Sequence, residues 1–295
     1  MKRITKKAYA KINLHLDITS KYPDGFHEVF TVMQSVSLCD DVEISVDSGA
    51  EIEIICSEKE IPTNEKNIAY RAAELFLSET GLIGKSKVSI ALEKRVPSCA
   101  GLGGGSADAA AVLLGLNELF EYPMSSERLL EFAALIGADV PFCMLGGTAA
   151  AHGKGDKIST FLPTPECYIV IAKGSEGIST PWAYRELDRI YSDFSEESYA
   201  PHDSSPLCSA IESGDLKKMA NSLYNVFESA ILPICRDACH IKEVLKESGA
   251  LGSLMSGSGT AVYGIFDDEN AAHRALERIK RSDYVAFLAR PVSKF

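Results

Sequence analysis

A glycine-rich stretch between residues 97 and 111 constrains the fold of this chain more than any other feature. Four of the five residues from Gly101 to Gly105 are glycine. Because glycine carries no Cβ, successive backbone N–H groups can crowd around one anion there. The run from Asp108 to Phe120 is apolar and rich in alanine, and it predicts a helix that opens directly from the loop. The free N–H groups and the macrodipole at the start of such a helix attract the oxygens of a nucleotide phosphate.

Two well-known phosphate-binding signatures do not fit the chain. A Walker loop has four residues between its first glycine and its Gly-Lys-Ser, whereas only two residues separate Gly81 from Gly84. The dinucleotide-binding fingerprint also fails, because Ser106 stands where its third glycine belongs. The stretch is therefore either a different class of phosphate loop or a tight turn that serves packing alone.

The composition narrows the choice of partner. The chain has 295 residues, 46% of them hydrophobic, and a net charge of −11, which is typical of a globular protein. Such an acidic balance argues against a nucleic-acid backbone or an anionic membrane as the main partner, since both attract clustered Lys and Arg. The longest uncharged run, residues 248–266, is broken by five glycines and does not predict a membrane span. The basic N-terminus lacks the apolar core of an export signal, so we expect a cytoplasmic protein with a small-molecule substrate.

The eight cysteines are scattered along the chain without the density of a disulfide scaffold. Reduced thiols are the simpler interpretation. Cys235, Cys239 and His240 lie close together, but no second pair of metal ligands accompanies them. We therefore expect buried small side chains at this place rather than a structural zinc site.

The glycine-rich stretch resembles the ATP-binding loop of the GHMP kinases, the family that contains galactokinase, homoserine kinase and mevalonate kinase. The shared pattern is a proline, three residues, Gly-Leu-Gly, and small residues that lead into an alanine-rich helix. The resemblance implies ATP and Mg²⁺ as cofactors, with the Mg²⁺ ligand left open. It implies that the following residues bind ATP: Pro97, Ser98, Cys99, Ala100, Gly101, Leu102, Gly103, Gly104, Gly105, Ser106 and Ala107.

The resemblance extends over nearly the full length, from Lys11 to the segment Ser256-Gly257-Ser258-Gly259-Thr260, with the motifs in the family's order. It implies an α+β fold of two domains with the active site in the cleft between them. Residues 1–155 would form the N-terminal, ATP-binding domain and residues 156–295 the C-terminal domain. The turn at 153–156, with two glycines, is the expected boundary.

A strand at residues 7–17 alternates strictly between apolar and polar side chains, so that Lys11 and Asn13 lie on the same face. Taken alone, this pattern favours a solvated polar face. The segment resembles the family's N-terminal Lys-x-Asn motif. That resemblance implies a catalytic role for Lys11 and a substrate-binding role for Asn13.

Asp139 lies in Gly137-Ala138-Asp139-Val140-Pro141, an acid among small and apolar residues. On the residues alone, it could simply cap the following turn. The segment resembles the one that carries the catalytic aspartate in the family. The resemblance implies that Asp139 accepts the proton of the attacking hydroxyl, with the charge of Lys11 beside it.

Two further segments resemble one branch of the family, which acts on a cytidine diphosphate-linked methylerythritol. The first is Asp24-Gly25-Phe26-His27-Glu28, which would otherwise be an ordinary turn before a strand. The resemblance implies that Phe26 stacks on cytosine, where the family more often has tyrosine, and that His27 hydrogen-bonds the base edge. The second begins at Thr180, a possible helix cap, and implies that Thr180 and Tyr184 bind substrate. Buried packing explains Tyr184 equally well.

The sequence thus indicates an ATP-dependent kinase that phosphorylates the 2-hydroxyl of that cytidyl substrate. A GHMP kinase of the mevalonate or homoserine type, which needs no cytosine clamp, is one alternative. A nucleotide or sugar sensor without catalysis is another. Periodicity also predicts strands at 29–38, 41–46, 51–56, 148–152, 167–172, 261–266 and 285–289, helices at 68–80, 126–136, 216–227, 234–247 and 269–281, an adenine-pocket border at 64–67 and a polar, mobile loop at 192–205.

Overall fold

The computed structural model of the chain describes residues 1–194 and 199–294. The strands among these residues are β1 (Lys2–Lys21), β2 (His27–Ser48), β3 (Ile52–Cys56), β4 (Ser86–Glu93), β5 (Thr148–His152), β6 (Lys157–Leu162), β7 (Tyr168–Lys173), β8 (Tyr224–Asn225), β9 (Gly252–Met255), β10 (Val262–Phe266) and β11 (Val285–Ala289). The α-helices are α1 (Ile68–Glu79), α2 (Gly104–Leu119), α3 (Ser126–Ile136), α4 (Val140–Leu145), α5 (Thr180–Ile190), α6 (Ser205–Glu212), α7 (Leu216–Asn221), α8 (Glu228–Ile231), α9 (Arg236–Glu247) and α10 (Glu269–Lys280). A short 3₁₀ turn covers Ser192–Phe194. The described helices include none that is both long and apolar enough to span a bilayer.

The first sheet is built around the long antiparallel pair of β1 and β2. Its strand order is β3-β4-β2-β1-β8, and β5 attaches to β2 with β6 beside it. The two strands predicted at 29–38 and 41–46 are one continuous strand, β2. Asp40 does not end it, because its buried carboxylate accepts the backbone N–H groups of Arg95 and Val96. A buried carboxylate is thus satisfied inside the sheet, where sequence alone suggests a break in the strand.

The second sheet has the antiparallel order β11-β7-β10-β9. Helices α9 and α10 pack on it through apolar residues at helical spacing, such as Ile241, Leu245, Ala275 and Ile279. Two strands that follow residue 155 join the first sheet instead: β6 pairs with β5, and β8 pairs in parallel with β1. The domain division at 155/156 stays a prediction.

Most predicted helices begin and end close to the expected residues, because their caps are local. Asn67 caps α1 by accepting the N–H of Ala69, and Ser125 caps α3 by accepting the N–H of Arg128. Helix α2 begins at Gly104, earlier than the predicted Asp108, and follows Gly103 in the left-handed conformation. In α5, Ser179 occupies the cap position and Thr180 is the first helical residue.

The predicted helix at 216–227 is wrong in its second half. Helix α7 ends at Asn221, and the chain then forms β8. The Asn225 side chain donates hydrogen bonds to the carbonyls of Met255 and Gly257, and residues 224–225 pair with β1. These long-range bonds override the helical pattern. In the predicted loop 192–205, residues 195–198 lie outside the described residues, and a helix that was not predicted, α6, begins at its last residue.

The two glycine loops of the chain meet backbone to backbone. Gly101 has a φ of 74°, and a Cβ there would lie 2.0 Å from the carbonyl oxygen of Ser256. The Ser256 hydroxyl donates to the Gly101 carbonyl at 2.9 Å, and the Ala261 N–H donates to the Ala100 carbonyl at 3.1 Å. This contact joins the loop before α2 to the loop before β10, and so connects the two sheets.

We expect Gly101→Ala to lower the free energy of unfolding by about 3 kcal/mol or more, because the added Cβ forces the two loops apart. Gly81→Ala is the matched control. Gly81 has a similar φ of 67° but open space around its Cβ position, so only backbone strain of about 1–2 kcal/mol applies. Urea unfolding of both variants measures the difference, and equal losses would contradict the close loop contact.

Candidate active site

A cleft of about 750 Å³ lies between the two halves of the structure. The glycine loop, the middle of β1 and the start of α1 line one side, and Ile178 to Tyr184 with residues 257–259 line the other. Asn67, in the region predicted to border the adenine pocket, both caps α1 and lines the cleft. The cleft therefore collects most of the residues that the sequence singled out.

Lys11 lies inside the cleft wall, so the solvated polar face that β1 suggests in isolation is wrong. Its side chain is only 5% exposed. The ammonium donates to Asn13 Oδ1 at 2.8 Å and lies 3.3 Å from Asp139 Oδ2. The Lys11 N–H donates to the carbonyl of Leu102, and a Cβ at Gly103 would lie 3.0 Å from the Lys11 stem. The absence of a side chain at Gly103 thus makes room for the lysine.

Asn13 is held by hydrogen bonds on all sides. Its side-chain amide nitrogen donates to Thr31 Oγ1 at 2.8 Å, and its backbone carbonyl accepts a hydrogen bond from the Tyr263 hydroxyl at 2.8 Å. Thr31 in turn donates to the His15 carbonyl. The chain of bonds fixes the Asn13 amide, and Asn13 Oδ1 therefore orients the Lys11 ammonium.

Asp139 precedes α4 but makes no side-chain capping bond. Its carboxylate faces Lys11 instead, and its side chain is 35% exposed. A carboxylate that is open to the cleft and paired with a buried cation can accept a proton from a hydroxyl group bound there. The local role that Asp139 could have in isolation, a cap, is not the one that the structure gives it.

The glycine loop forms a cradle of backbone groups. Cys99, Gly101 and Gly103 all have positive φ, at 51°, 74° and 69°. The predicted ATP-binding residues from Pro97 to Ser106 all line the cleft. Ala107 does not, and its N–H group is bonded to the Gly103 carbonyl at 2.9 Å. The free N–H groups available to an anion therefore end before Ala107.

Of the three residues predicted to hold the base, only Tyr184 lines the cleft, and His27 packs against it. The His27 ring lies 4.9 Å from that of Tyr184, centroid to centroid, and its Nε2 atom is 2.6 Å from Asp188 Oδ1. Phe26 is 56% exposed and does not line the cleft, and the Lys154 ammonium lies 3.4 Å from its ring centroid.

Tyr184 and Thr180 both line the cleft from α5. Tyr184 also packs edge-on against Phe227, and burial raises the pKa of its phenol. A packing role for Tyr184 and a role in the cleft are therefore compatible. Thr180 Oγ1 lies 2.8 Å from Ser258 Oγ, so this pair joins the start of α5 to the second glycine loop.

A buried cluster of one lysine and two aspartates lies behind the glycine loop. Lys94 bonds to both Asp40 and Asp108, and all three side chains are at most 5% exposed. Asp108 Oδ1 has no hydrogen-bond partner among the described residues, and Lys94 and Asp108 line the cleft. Sequence analysis missed this cluster. The signal that could have found the cluster was Asp108, a single acid in an otherwise apolar helix.

The pKa values of Asp108 and Lys94 are both raised, but for different reasons. Burial raises the pKa of Asp108 to about 7, although Lys94 acts against the shift. Burial alone would lower the pKa of Lys94, but the two carboxylates raise it. Lys94 therefore stays charged, while Asp108 gains a proton near neutral pH.

This shift predicts a pH-dependent stability that Asp108→Asn removes. As pH rises above the ordinary carboxyl pKa of 3.8, the unfolded chain loses the Asp108 proton first, and the wild type loses stability until about pH 7. The free energy of unfolding of the variant minus that of the wild type should rise with pH across this window. The expected slope is up to about 1.4 kcal/mol per pH unit.

Asp41→Asn is the control for this measurement. Hydrogen bonds from Lys7, and then from Arg95, lower the pKa of Asp41. The free energy of unfolding of Asp41→Asn minus that of the wild type should therefore not change with pH above about pH 5. Denaturant unfolding at several pH values measures both differences. If the free energy of unfolding of Asp108→Asn minus that of the wild type does not change with pH, the pKa of Asp108 is not raised.

Comparison with known proteins identifies the class to which this fold and cleft belong. Residues 67–147 match the GHMP kinases N terminal domain, and residues 208–286 match the GHMP kinases C terminal. A relative from Caldicellulosiruptor bescii is 43% identical over 274 residues, which is 93% of each chain. The chain belongs to the GHMP kinase family, and the predicted two-domain α+β fold is confirmed.

The names of the relatives are more specific. The Caldicellulosiruptor bescii protein and one from Exiguobacterium sibiricum, which is 41% identical over 94% of each chain, are both named 4-diphosphocytidyl-2-C-methyl-D-erythritol kinase. A crystal structure of 4-(cytidine 5'-diphospho)-2C-methyl-D-erythritol kinase superimposes with a TM-score of 0.80 at 31% identity, covering 98% of this chain and 99% of that one.

Proposed function

We propose that this protein transfers the γ-phosphoryl group of ATP to the 2-hydroxyl of 4-diphosphocytidyl-2-C-methyl-D-erythritol, giving ADP and the 2-phosphate. The observation that carries the proposal is the pair of Lys11 and Asp139, 3.3 Å apart in the cleft beside the glycine loop. Relatives that carry this name over nearly the whole chain support the choice of substrate.

The glycine loop fits the phosphates of ATP. The N–H groups between Gly101 and Ser106 lie at the start of α2, where the helix macrodipole favours negative charge. Phosphoryl transfer requires positioning and neutralisation of charge more than covalent help from the protein. We assign the loop to this task and the region around Asn67 to the adenine end of the cleft.

Mg²⁺ bound together with ATP needs only one or two carboxylates, because phosphates and water supply its other ligands. Asp139 and, once it is ionised, Asp108, whose Oδ1 has no partner among the described residues, are the carboxylate groups at the cleft that would hold the ion. When bound, Mg²⁺ neutralises part of the phosphate charge.

Asp139 acts as the general base in this proposal. It accepts the proton of the substrate hydroxyl while Lys11 balances the charge that gathers at the attacking oxygen. Asn13 keeps the Lys11 ammonium in place through the 2.8 Å bond. The substrate base lies at the cleft mouth, near His27 and Tyr184.

A panel of alcohol substrates tests the reaction. With Mg²⁺ and ATP, we expect ADP release with the diphosphocytidyl methylerythritol and none above background with mevalonate or homoserine. Turnover with one of those alcohols instead would support the assignment as a kinase but rule out the cytidyl substrate. ATP binding without turnover on any alcohol would identify a sensor and reject the enzyme.

We expect Asp139→Ala to lower kcat by about 10²- to 10⁴-fold, which is the usual contribution of a general base. The affinity for ATP should change little, because the glycine loop is untouched. Steady-state kinetics and a nucleotide-binding titration measure the two effects. Asp267→Ala, at an exposed position, is the control, and near-normal turnover of Asp139→Ala would rule out its role as the base.

A further inference from the structure

Helix α5 carries a carboxylate that holds the histidine at the base end of the cleft. Asp188 Oδ1 lies 2.6 Å from His27 Nε2, and Asp188 Oδ2 accepts the Lys21 ammonium at 2.9 Å. Asp188 follows Tyr184 by four residues, so the two side chains lie on one face of α5. Lys21 and His27 are paired neighbours across the β1–β2 hairpin. One carboxylate thus connects the hairpin to the helix.

The charge state of Asp188 determines which His27 nitrogen carries the proton. Burial acts to raise the pKa of Asp188, but hydrogen bonds from Lys21 and His27 lower it below the ordinary value. An ionised carboxylate accepts hydrogen bonds and donates none. His27 Nε2 must therefore carry the hydrogen of the 2.6 Å bond. In the neutral ring, the other nitrogen, Nδ1, is then an acceptor.

His27 is buried and does not itself line the cleft, and Nδ1 is the ring nitrogen that Asp188 leaves unpaired. The described residues include none that hydrogen-bonds it, and the His27 ring faces Tyr184, which lines the cleft. The position opposite C4 distinguishes the two common pyrimidines. Cytosine presents an amino group that donates there, whereas the corresponding oxygen of a uracil ring only accepts.

We propose that Asp188 is a positioning residue that sets the base preference of this kinase. It holds His27 in the Nε2–H tautomer, so that Nδ1 accepts a hydrogen bond from the amino group of cytosine. The corresponding carbonyl oxygen of uracil cannot donate such a bond. The inference rests on the proposed cytidyl substrate and adds to it the residue that discriminates between the bases. A site that leaves two acceptors facing each other discriminates strongly, because neither is satisfied.

Asp188→Asn reverses the arrangement with almost no change of shape. Lys21 can only donate, so it retains the amide oxygen, and the amide NH₂ group turns toward His27 Nε2. His27 then accepts at Nε2 and carries its hydrogen on Nδ1. Glu186→Gln is the matched control, since Glu186 lies on the same helix and pairs with Arg189 rather than with His27.

The first measurement compares kcat/KM for the cytidine and uridine forms of the diphospho-methylerythritol. We expect the wild type and Glu186→Gln to prefer the cytidine form by about 100-fold or more. Asp188→Asn should lower this preference by at least about tenfold, the effect of one hydrogen bond. A merely structural role for Asp188 would lower both kcat/KM values together, and an unchanged ratio overturns the proposal.

The second measurement does not depend on activity. Nitrogen-15 NMR of the imidazoles at about pH 8.5, where free histidine is neutral, reports the tautomer of His27. The chain has six histidines, and the signal that His27→Gln removes identifies the right one. We expect Nε2–H in the wild type and Nδ1–H in Asp188→Asn.

The two measurements separate this inference from the proposed function. If the wild type turns over neither substrate, the cytidyl kinase fails, and the tautomers still decide whether Asp188 controls His27. If Asp188→Asn does not fold, the wild-type spectrum decides alone, since an Nδ1–H tautomer there contradicts the proposal.

Discussion

The contact between the two glycine loops is the constraint on which the rest of the cleft depends. At Gly101 and Gly257 the two backbones approach so closely that neither position has room for a side chain. The Ser256 hydroxyl donates to the Gly101 carbonyl and also accepts the N–H of Asn13 at 3.3 Å. One serine therefore connects the glycine loop, the strand that carries Lys11 and the second half of the chain. The packing of the protein itself holds the glycine loop in place.

Local charge in the cleft differs from the charge of the whole molecule. The chain carries a net charge of −11, yet the ammonium groups of Lys11 and Lys94 lie in the walls of the cleft. Each is paired with carboxylates, so that a buried cation is stabilised without leaving the site strongly positive. Asp108 lessens the surplus of negative charge by taking up a proton near neutral pH.

The side chains near Tyr184, at the end of the cleft proposed to hold the base, are also paired with one another. Phe26 lies in the turn between β1 and β2, His27 is the first residue of β2, and α5 supplies Tyr184 and Asp188. The helix thus brings both an aromatic ring and a carboxylate to His27. In the proposed function, two segments that are far apart in the chain would together recognise the base.

The sequence by itself determined the elements whose signals are local. The cap residues Asn67 and Ser125 start α1 and α3 as predicted, and the alternation along β1 places Lys11 and Asn13 on one face. The full-length resemblance also indicated the family and its fold. These features depend on residues a few positions apart, which is the distance over which periodicity and capping act.

Only the tertiary structure decided which polar groups are buried and what they touch. Asn13 meets Tyr263 across 250 residues, and His27 meets Asp188 across 161. Other long-range bonds, from Asn225 and from the pairing with β1, turned half of a predicted helix into β8, and the polar face of β1 is buried. A polar side chain has the same local pattern whether water or a distant residue satisfies it. The partner is decided when the sheets and helices pack, because a buried polar group that finds no partner costs free energy.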